Sequence, residues 1–174
     1  LVVFAAFLLQ VPTPLLAIQL LWVNLVTDSL PALALGADPI RSDVMRDHPH
    51  KREEGLFSGG MGFSLAVEGC LVGALALLAY TLGRVFFDEN PAEPVVGRTM
   101  AFCVLSLSQL VHSFNMRSEH SVLKMGLFSN RKLVSACGLC ALLMVSVVLF
   151  PPLSALFQTT PLTSFQWLLV VLLS

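Results

Sequence analysis

Residues 19–39 read QLLWVNLVTDSLPALALGADP, and this stretch decides how the whole chain is interpreted. It is apolar enough to lie in a bilayer, yet it carries Asn24, Thr27 and Asp28 in its middle. At spacings of three and four residues, these side chains project from one face of an α-helix within a single turn. Because a carboxylate at that depth in lipid is costly, an ion, a polar partner or water must compensate it.

Pro31, three residues after Asp28, adds a further oxygen to this set. Proline has no N–H group, so on a helix the carbonyl of Thr27 loses its usual donor and the chain kinks. The segment therefore offers a carboxylate, an amide oxygen, a hydroxyl and a backbone carbonyl. Hard oxygen ligands of this kind suit calcium or another hard cation. The alternative is that these polar groups only hydrogen-bond neighbouring membrane helices.

The composition indicates an integral membrane protein. The 174 residues are 56% hydrophobic and only 12% charged, with a mean hydropathy of +0.81. A soluble domain of this length carries about twice that charge. The charges also cluster between long apolar runs, as in membrane-spanning chains. The net charge of −1 gives no reason to expect a nucleic-acid partner.

The apolar runs predict an all-α membrane protein, a bundle of about six transmembrane helices. The predicted helices cover residues 1–9, 15–35, 57–83, 99–114, 133–150 and 162–174. The loops at 40–56 and 115–132 hold eight of the ten Lys and Arg residues, so the positive-inside rule makes them cytoplasmic. Both ends of the chain are apolar, and we therefore expect the terminal helices to be incomplete parts of a longer protein.

Residues 20–36, LLWVNLVTDSLPALALG, resemble the sixth transmembrane helix of P-type calcium-transporting ATPases. The rest of the chain resembles the C-terminal membrane half of such a pump, from part of its fifth helix to part of its tenth. The resemblance implies that Asn24, Thr27 and Asp28 supply oxygen ligands to the transported ion, with Asp28 as the carboxylate that bridges sites. Asn at position 24 favours a calcium-like pump, because sodium- and proton/potassium-type pumps tend to have Asp there.

Residues 99–109, TMAFCVLSLSQ, resemble the eighth helix of the same family. Two-site calcium pumps of the reticulum carry Glu where this chain has Gln109, whereas one-site pumps carry a neutral amide. A neutral oxygen balances less of a divalent charge, so the resemblance implies Gln109 as a further ligand and one calcium per cycle. The alternative is that Gln109 only packs, with Ser106 and Ser113 on the same helix face.

The resemblance also implies that the parent protein is an ATP-driven translocase. The family's Asp-Lys-Thr-Gly-Thr phosphorylation motif and nucleotide-binding segment do not occur in this sequence, so we expect no catalytic or cofactor-binding residue here. Upstream domains would use Mg-ATP. The expected partners are those cytoplasmic domains, the upstream membrane helices and the lipid bilayer. The expected location is the plasma membrane in a bacterium, and otherwise an internal or plasma membrane.

Two other classes of protein are alternatives to the pump. A secondary cation exchanger also uses broken helices with acids at the midplane, but it predicts an inverted repeat of the 24–31 motif, which the sequence lacks. A non-transporting membrane packing domain would use the G-x-x-x-G pattern at 69–73. It predicts that Asp28→Asn leaves function intact.

Four further sites carry weaker signals. Glu68 lies about 15 Å inside its predicted helix; we expect a protonated, hydrogen-bonded packing role, with ion or proton traffic as the alternative. His112 is predicted to be a polar interfacial residue. The histidines within 47–50 could bind a metal but are expected to be solvated. Cys137 and Cys140 have C-x-x-C spacing without a second pair, so we expect small packing residues.

Overall fold

The computed structural model describes residues 2–36, 61–90, 92–115 and 131–174. Within these ranges the chain forms α-helices and one π-helical turn, with no β-strand. The α-helices are α1 (Val2–Leu8), α2 (Ala17–Trp22), α3 (Ser29–Gly36), α4 (Met61–Phe86), α5 (Val95–Asn115), α6 (Arg131–Leu149), α7 (Pro151–Phe157) and α8 (Ser164–Leu173). The predicted loop 40–56, its histidines, and all but the ends of the loop 115–132 lie outside the described residues.

Among the residues that the structure describes, four stretches are long and apolar enough to cross a membrane: Ala17–Gly36, Gly62–Phe86, Val95–Phe114 and Arg131–Leu149. The first of them is one span assembled from α2, the π-helical turn and α3. The two end helices α1 and α8, of 7 and 10 residues, are shorter than the roughly 20 residues that a bilayer requires. The predicted all-α membrane bundle is confirmed, while the count of six spans stays a prediction.

The hairpin of α4 and α5 is longer than the sequence pattern predicts. α5 begins at Val95 instead of at residue 99, because the side chain of Asp88 satisfies its first turn. The Asp88 carboxylate accepts the backbone N–H of Val96 through Oδ1 and that of Gly97 through Oδ2, both at 2.8 Å. Since the first N–H groups of a helix have no partner inside it, this carboxylate allows a polar turn to become helical.

Two glycines bring α4 and α5 into backbone contact. A Cβ atom placed on Gly83 would overlap the Cα of Gly97, and one placed on Gly97 would lie 2.7 Å from the carbonyl oxygen of Tyr80. Neither position therefore accepts a larger residue unless the helices separate. The glycines of the predicted packing motif, Gly69 and Gly73, line a cavity instead.

The connection after α6 contains a helix that the sequence analysis did not predict. Pro151 and Pro152 end α6 and also form the first turn of α7, where a missing N–H group costs nothing. Gln158 closes α7 in the left-handed conformation, with φ of 50°. Thr159 then donates its hydroxyl to the carbonyl of Val147 at 3.0 Å, which ties the connection back to α6.

Contacts of α4 and α5 with neighbouring connections show that three connections lie at one end of the bundle. The Tyr80 hydroxyl on α4 donates to the carbonyl of Pro12 at 2.7 Å. The backbone N–H of Thr160 donates to the hydroxyl of Thr99, at the start of α5, at 3.1 Å. Pro12, Glu93 and Gln158, one from each of three connections, also line one pocket, so these connections lie at the same end of the bundle.

The bundle has a large buried core and a smaller one. The large core is centred on α5 and includes Tyr80, Met100, Phe102, Met144 and Val170. The smaller core lies where α3, α5 and α6 meet and consists of Ala34, Leu110, Leu133, Cys137 and Cys140. Together they hold the first span, with its polar residues, against α5 and α6.

Candidate ion-binding site

The span that carries the predicted ligands changes its winding in the middle. Residues Val23–Thr27 form a π-helical turn, in which the backbone N–H of Asp28 donates to the carbonyl of Val23, five residues back, at 3.1 Å. Pro31 lies at the third position of α3 and is buried. It brings no N–H to the carbonyl of Thr27, and its ring crowds that carbonyl. In place of the expected kink, the helix widens into a π-helical turn. Such turns are frequent at functional sites.

The π-helical turn separates the three predicted ligands. Asn24 and Asp28 are exposed, whereas Thr27 is buried with 3% of its surface exposed. A π-helix advances about 80° per residue rather than about 100°. Asp28 therefore stays within roughly 40° of Asn24, while Thr27 turns about 120° away. The expectation that all three share one face is corrected: Asn24 and Asp28 share it, and Thr27 points into the bundle.

Side chains engage the backbone carbonyls of the widened turn. The Cys140 thiol on α6 donates to the carbonyl of Val26 at 3.4 Å, and the Ser29 hydroxyl approaches that of Asn24 at 3.5 Å. Cys137 lies one turn before Cys140, with its Sγ 3.4 Å from the Ser113 Oγ. Both cysteines are free thiols. Cys140 therefore packs α6 against the turn and Cys137 packs α6 against α5, contacts that the C-x-x-C spacing alone did not reveal.

Gln109 lines a cavity that the predicted ligands of the first span do not line. It lines this cavity of about 440 Å³ together with residues of α1, α2 and α4, among them Val2, Leu20 and Gly73. Its Oε1 is buried and has no hydrogen-bond partner within the described part of the chain. The lining does not include Asn24, Thr27 or Asp28. The Gln109 amide oxygen is therefore available as an acceptor or a ligand, but Gln109 and Asp28 do not line the same cavity.

The charge of Asp28 is the dominant electrostatic feature of the first span. It is the one ionisable side chain between residues 17 and 36, and no cationic group lies within ion-pair distance of it in the ranges that the structure describes. No group of three or more His, Cys, Asp or Glu residues there is arranged to hold a metal ion. The polar side with Asn24 and Asp28 therefore faces outward from these helices, where only a further element or an ion could compensate it.

Comparison with known proteins identifies the family to which this chain belongs. Residues 12–174 match the family described as Cation transporting ATPase, C-terminus, and the chain belongs to that family. The chain is 42% identical over 171 residues to a calcium-transporting ATPase of Bacillus subtilis (strain 168). In an alignment of 184 residues, it is 44% identical to calcium-transporting ATPase 1 of Bacillus cereus (strain ATCC 10987 / NRS 248). The resemblance to calcium pumps noted in the sequence is confirmed.

The comparisons also define how much of a pump is present. Each of the two matches covers 98% of this chain but only 19% or 21% of the relative. The chain thus spans about a fifth of the length of the curated relatives that it matches. It is a multi-pass membrane region of the kind that ends a cation-transporting ATPase.

Proposed function

We propose that this chain is the membrane ion-binding part of an ATP-driven P-type pump whose transported ion is calcium. One observation carries the proposal: Asn24 and Asp28 stand exposed on one side of a π-helical turn within an apolar span. A carboxylate and an amide oxygen on such a span suit a hard cation better than they suit lipid. The calcium-transporting relatives named above support the choice of ion.

In this proposal Asp28 supplies the charge and Asn24 a neutral oxygen, and Thr27 contributes the backbone carbonyl that Pro31 leaves without its usual donor. Calcium takes six to eight oxygen ligands, which is more than these residues offer. The remaining ligands would come from upstream helices of the same pump, seated against the open side of Asn24 and Asp28. Upstream domains would use Mg-ATP, and their phosphorylation would switch the site between the two faces of the membrane. Pro31 keeps the turn from closing into an ordinary α-helix.

The stoichiometry that we propose, one calcium ion per cycle, is supported by Gln109. Its amide oxygen is neutral, and Asp28 is not among the residues that line its cavity, so Gln109 gives little support to a second divalent ion. Equilibrium binding of radioactive calcium to the full pump should show one ion per phosphorylatable site. Two ions per site would contradict this part of the proposal. Gln109→Leu tests the ligand role: weaker calcium binding supports it, and unchanged binding assigns Gln109 to packing.

The decisive test is Asp28→Asn in the full-length pump. This change removes the charge and keeps the size, so calcium affinity should fall about 100-fold or more, given the strength of charge interactions in a low dielectric. Glu89→Gln, at an exposed acid outside the spans, is the matched control and should bind calcium normally. Unchanged binding by Asp28→Asn would reject the site. Calcium transport that needs no ATP would indicate an exchanger, and manganese competition would test the identity of the ion.

A further inference from the structure

Gln19 is a buried polar residue one turn before the π-helical turn. None of its surface is exposed, and both ends of its amide are used. Its Oε1 accepts the backbone N–H of Leu16 at 3.0 Å, and its Nε2 donates to the carbonyl of Phe157 at 3.0 Å. One side chain thus closes the first turn of α2 and joins α2 to the end of α7. A buried amide that loses such partners leaves unpaired groups behind, which is destabilising.

Phe157 makes a second contact with the same helix. Its ring meets that of Trp22 edge to face, with centroids 5.2 Å apart and an interplanar angle of 84°. Gln19 and Trp22 are three residues apart and therefore lie on one side of α2. Phe157 is the last residue of α7, where a carbonyl has no partner inside its own helix. Both the backbone and the ring of Phe157 are therefore available to hold α2.

The residues after Phe157 are anchored in turn to the centre of the bundle. Thr159 bonds to the carbonyl of Val147 on α6, and Thr160 bonds to the hydroxyl of Thr99 on α5. The contact of Gln19 and Trp22 with Phe157, which we call the Phe157 junction, therefore connects the start of the first span to two other spans.

We propose that Gln19 is a positioning residue for the ion site, holding Asn24 and Asp28 at the correct rotation and height through the Phe157 junction. This inference rests on the proposed function. A helix without lateral anchors can rotate or slide as a unit, and metal sites require their ligands within about 0.5 Å of the productive geometry. Asn24 follows Gln19 by five residues, about 7.5 Å along the axis, so a rotation or slide of α2 at Gln19 also displaces Asn24.

The test is Gln19→Met in the full-length pump, measured by equilibrium binding of radioactive calcium and by the maximal ATPase rate. Methionine keeps a similar volume but removes both hydrogen bonds. We expect the calcium Kd to rise about tenfold, equivalent to about 1.4 kcal/mol. The ATPase rate at saturating calcium should stay within about twofold of normal, because bound calcium restores the geometry.

Gln166→Met is the matched control. Gln166 is also a buried glutamine at the third position of a helix, and its Oε1 accepts the backbone N–H of Thr163 at 2.7 Å at the start of α8. The change therefore removes a comparable buried cap without touching the Phe157 junction. Its calcium Kd should equal that of the unmodified pump. Equal calcium Kd values for Gln19→Met and Gln166→Met would overturn the inference.

A second variant keeps the inference testable if Gln19→Met does not fold. Phe157→Leu retains the carbonyl that accepts from Gln19 but removes the ring that packs on Trp22. A rise in the calcium Kd of about threefold is expected from losing one aromatic pair, and no rise would overturn the inference. Asp28→Asn separates the two proposals. If it binds calcium normally, the proposed function fails; if it loses binding while Gln19→Met does not, only the positioning role fails.

Discussion

Glu68 on α4 and His112 on α5 face each other, with the Glu68 Oε2 3.6 Å from the His112 Nε2. The two residues are 44 positions apart in the sequence, and nothing in the sequence pattern pairs them. The antiparallel hairpin brings them together, since Glu68 is near the start of α4 and His112 is near the end of α5. Their side chains are 49% and 32% exposed, respectively. The carboxyl group expected to need a polar partner thus has an imidazole beside it.

Glu68→Gln tests whether this pair takes part in ion traffic. Polar pairs between membrane helices contribute about 1 kcal/mol, and glutamine can still hydrogen-bond the imidazole. The variant pump should therefore keep its thermal stability to within about 1 kcal/mol and its calcium affinity to within about twofold. His112→Gln should behave in the same way. A tenfold loss of calcium affinity in Glu68→Gln alone would instead place Glu68 on the ion path.

Gly83→Ala should destabilise the α4–α5 hairpin. The added methyl group would meet the backbone of Gly97, which has no side chain to move aside, and such overpacking costs about 1–3 kcal/mol. Thermal unfolding of the full pump in detergent measures the loss. Gly138→Ala on α6 is the control, because its Cβ would meet nothing within 4 Å. It should be neutral or stabilise by about 0.5–1 kcal/mol; equal effects of the two changes would refute the close approach.

Asp88→Ala should lower the stability of the pump through the start of α5. The variant leaves the N–H groups of Val96 and Gly97 without the acceptor that both now use. Loss of a helix cap costs about 0.5–2 kcal/mol, and hydrogen exchange of the first turn of α5 should increase. Glu89→Ala, at the exposed next position, should change neither quantity. Unaltered exchange in Asp88→Ala would mean that the carboxylate does not support this turn.

Pro31→Ala should weaken calcium binding without lowering the thermal stability of the pump. Alanine restores an N–H group that can pair with the carbonyl of Thr27, so residues 23–27 can return to ordinary α-helical winding. That change turns Thr27 back toward the face of Asn24 and Asp28 and moves all three oxygens. We expect weaker calcium binding with an equal or higher thermal midpoint, as at sites where strain serves function. Pro151→Ala, at the start of α7, should leave calcium binding unchanged; normal binding in Pro31→Ala would show that the wide turn is not needed.

Local sequence features were sufficient to predict the membrane class, the main spans and the polar centre of the first span. These features are local: bilayer thickness sets the length of an apolar run, and Asn24, Asp28 and Pro31 lie within eight residues of one another. The boundaries of α5 were predicted less well, because the acceptor for its first turn is the side chain of Asp88, several residues upstream.

The contacts of the polar residues, in contrast, depend on how the helices pack. Thr27 turns inward because the hydrogen-bond register shifts by one residue at Val23–Thr27, and periodicity alone assumes ordinary α-helical winding. Gln19 meets Phe157 across 138 positions, and Glu68 meets His112 across a hairpin. Hydropathy and spacing report only on the segment that contains them, whereas the partner of a buried polar group is chosen by the packing of distant helices.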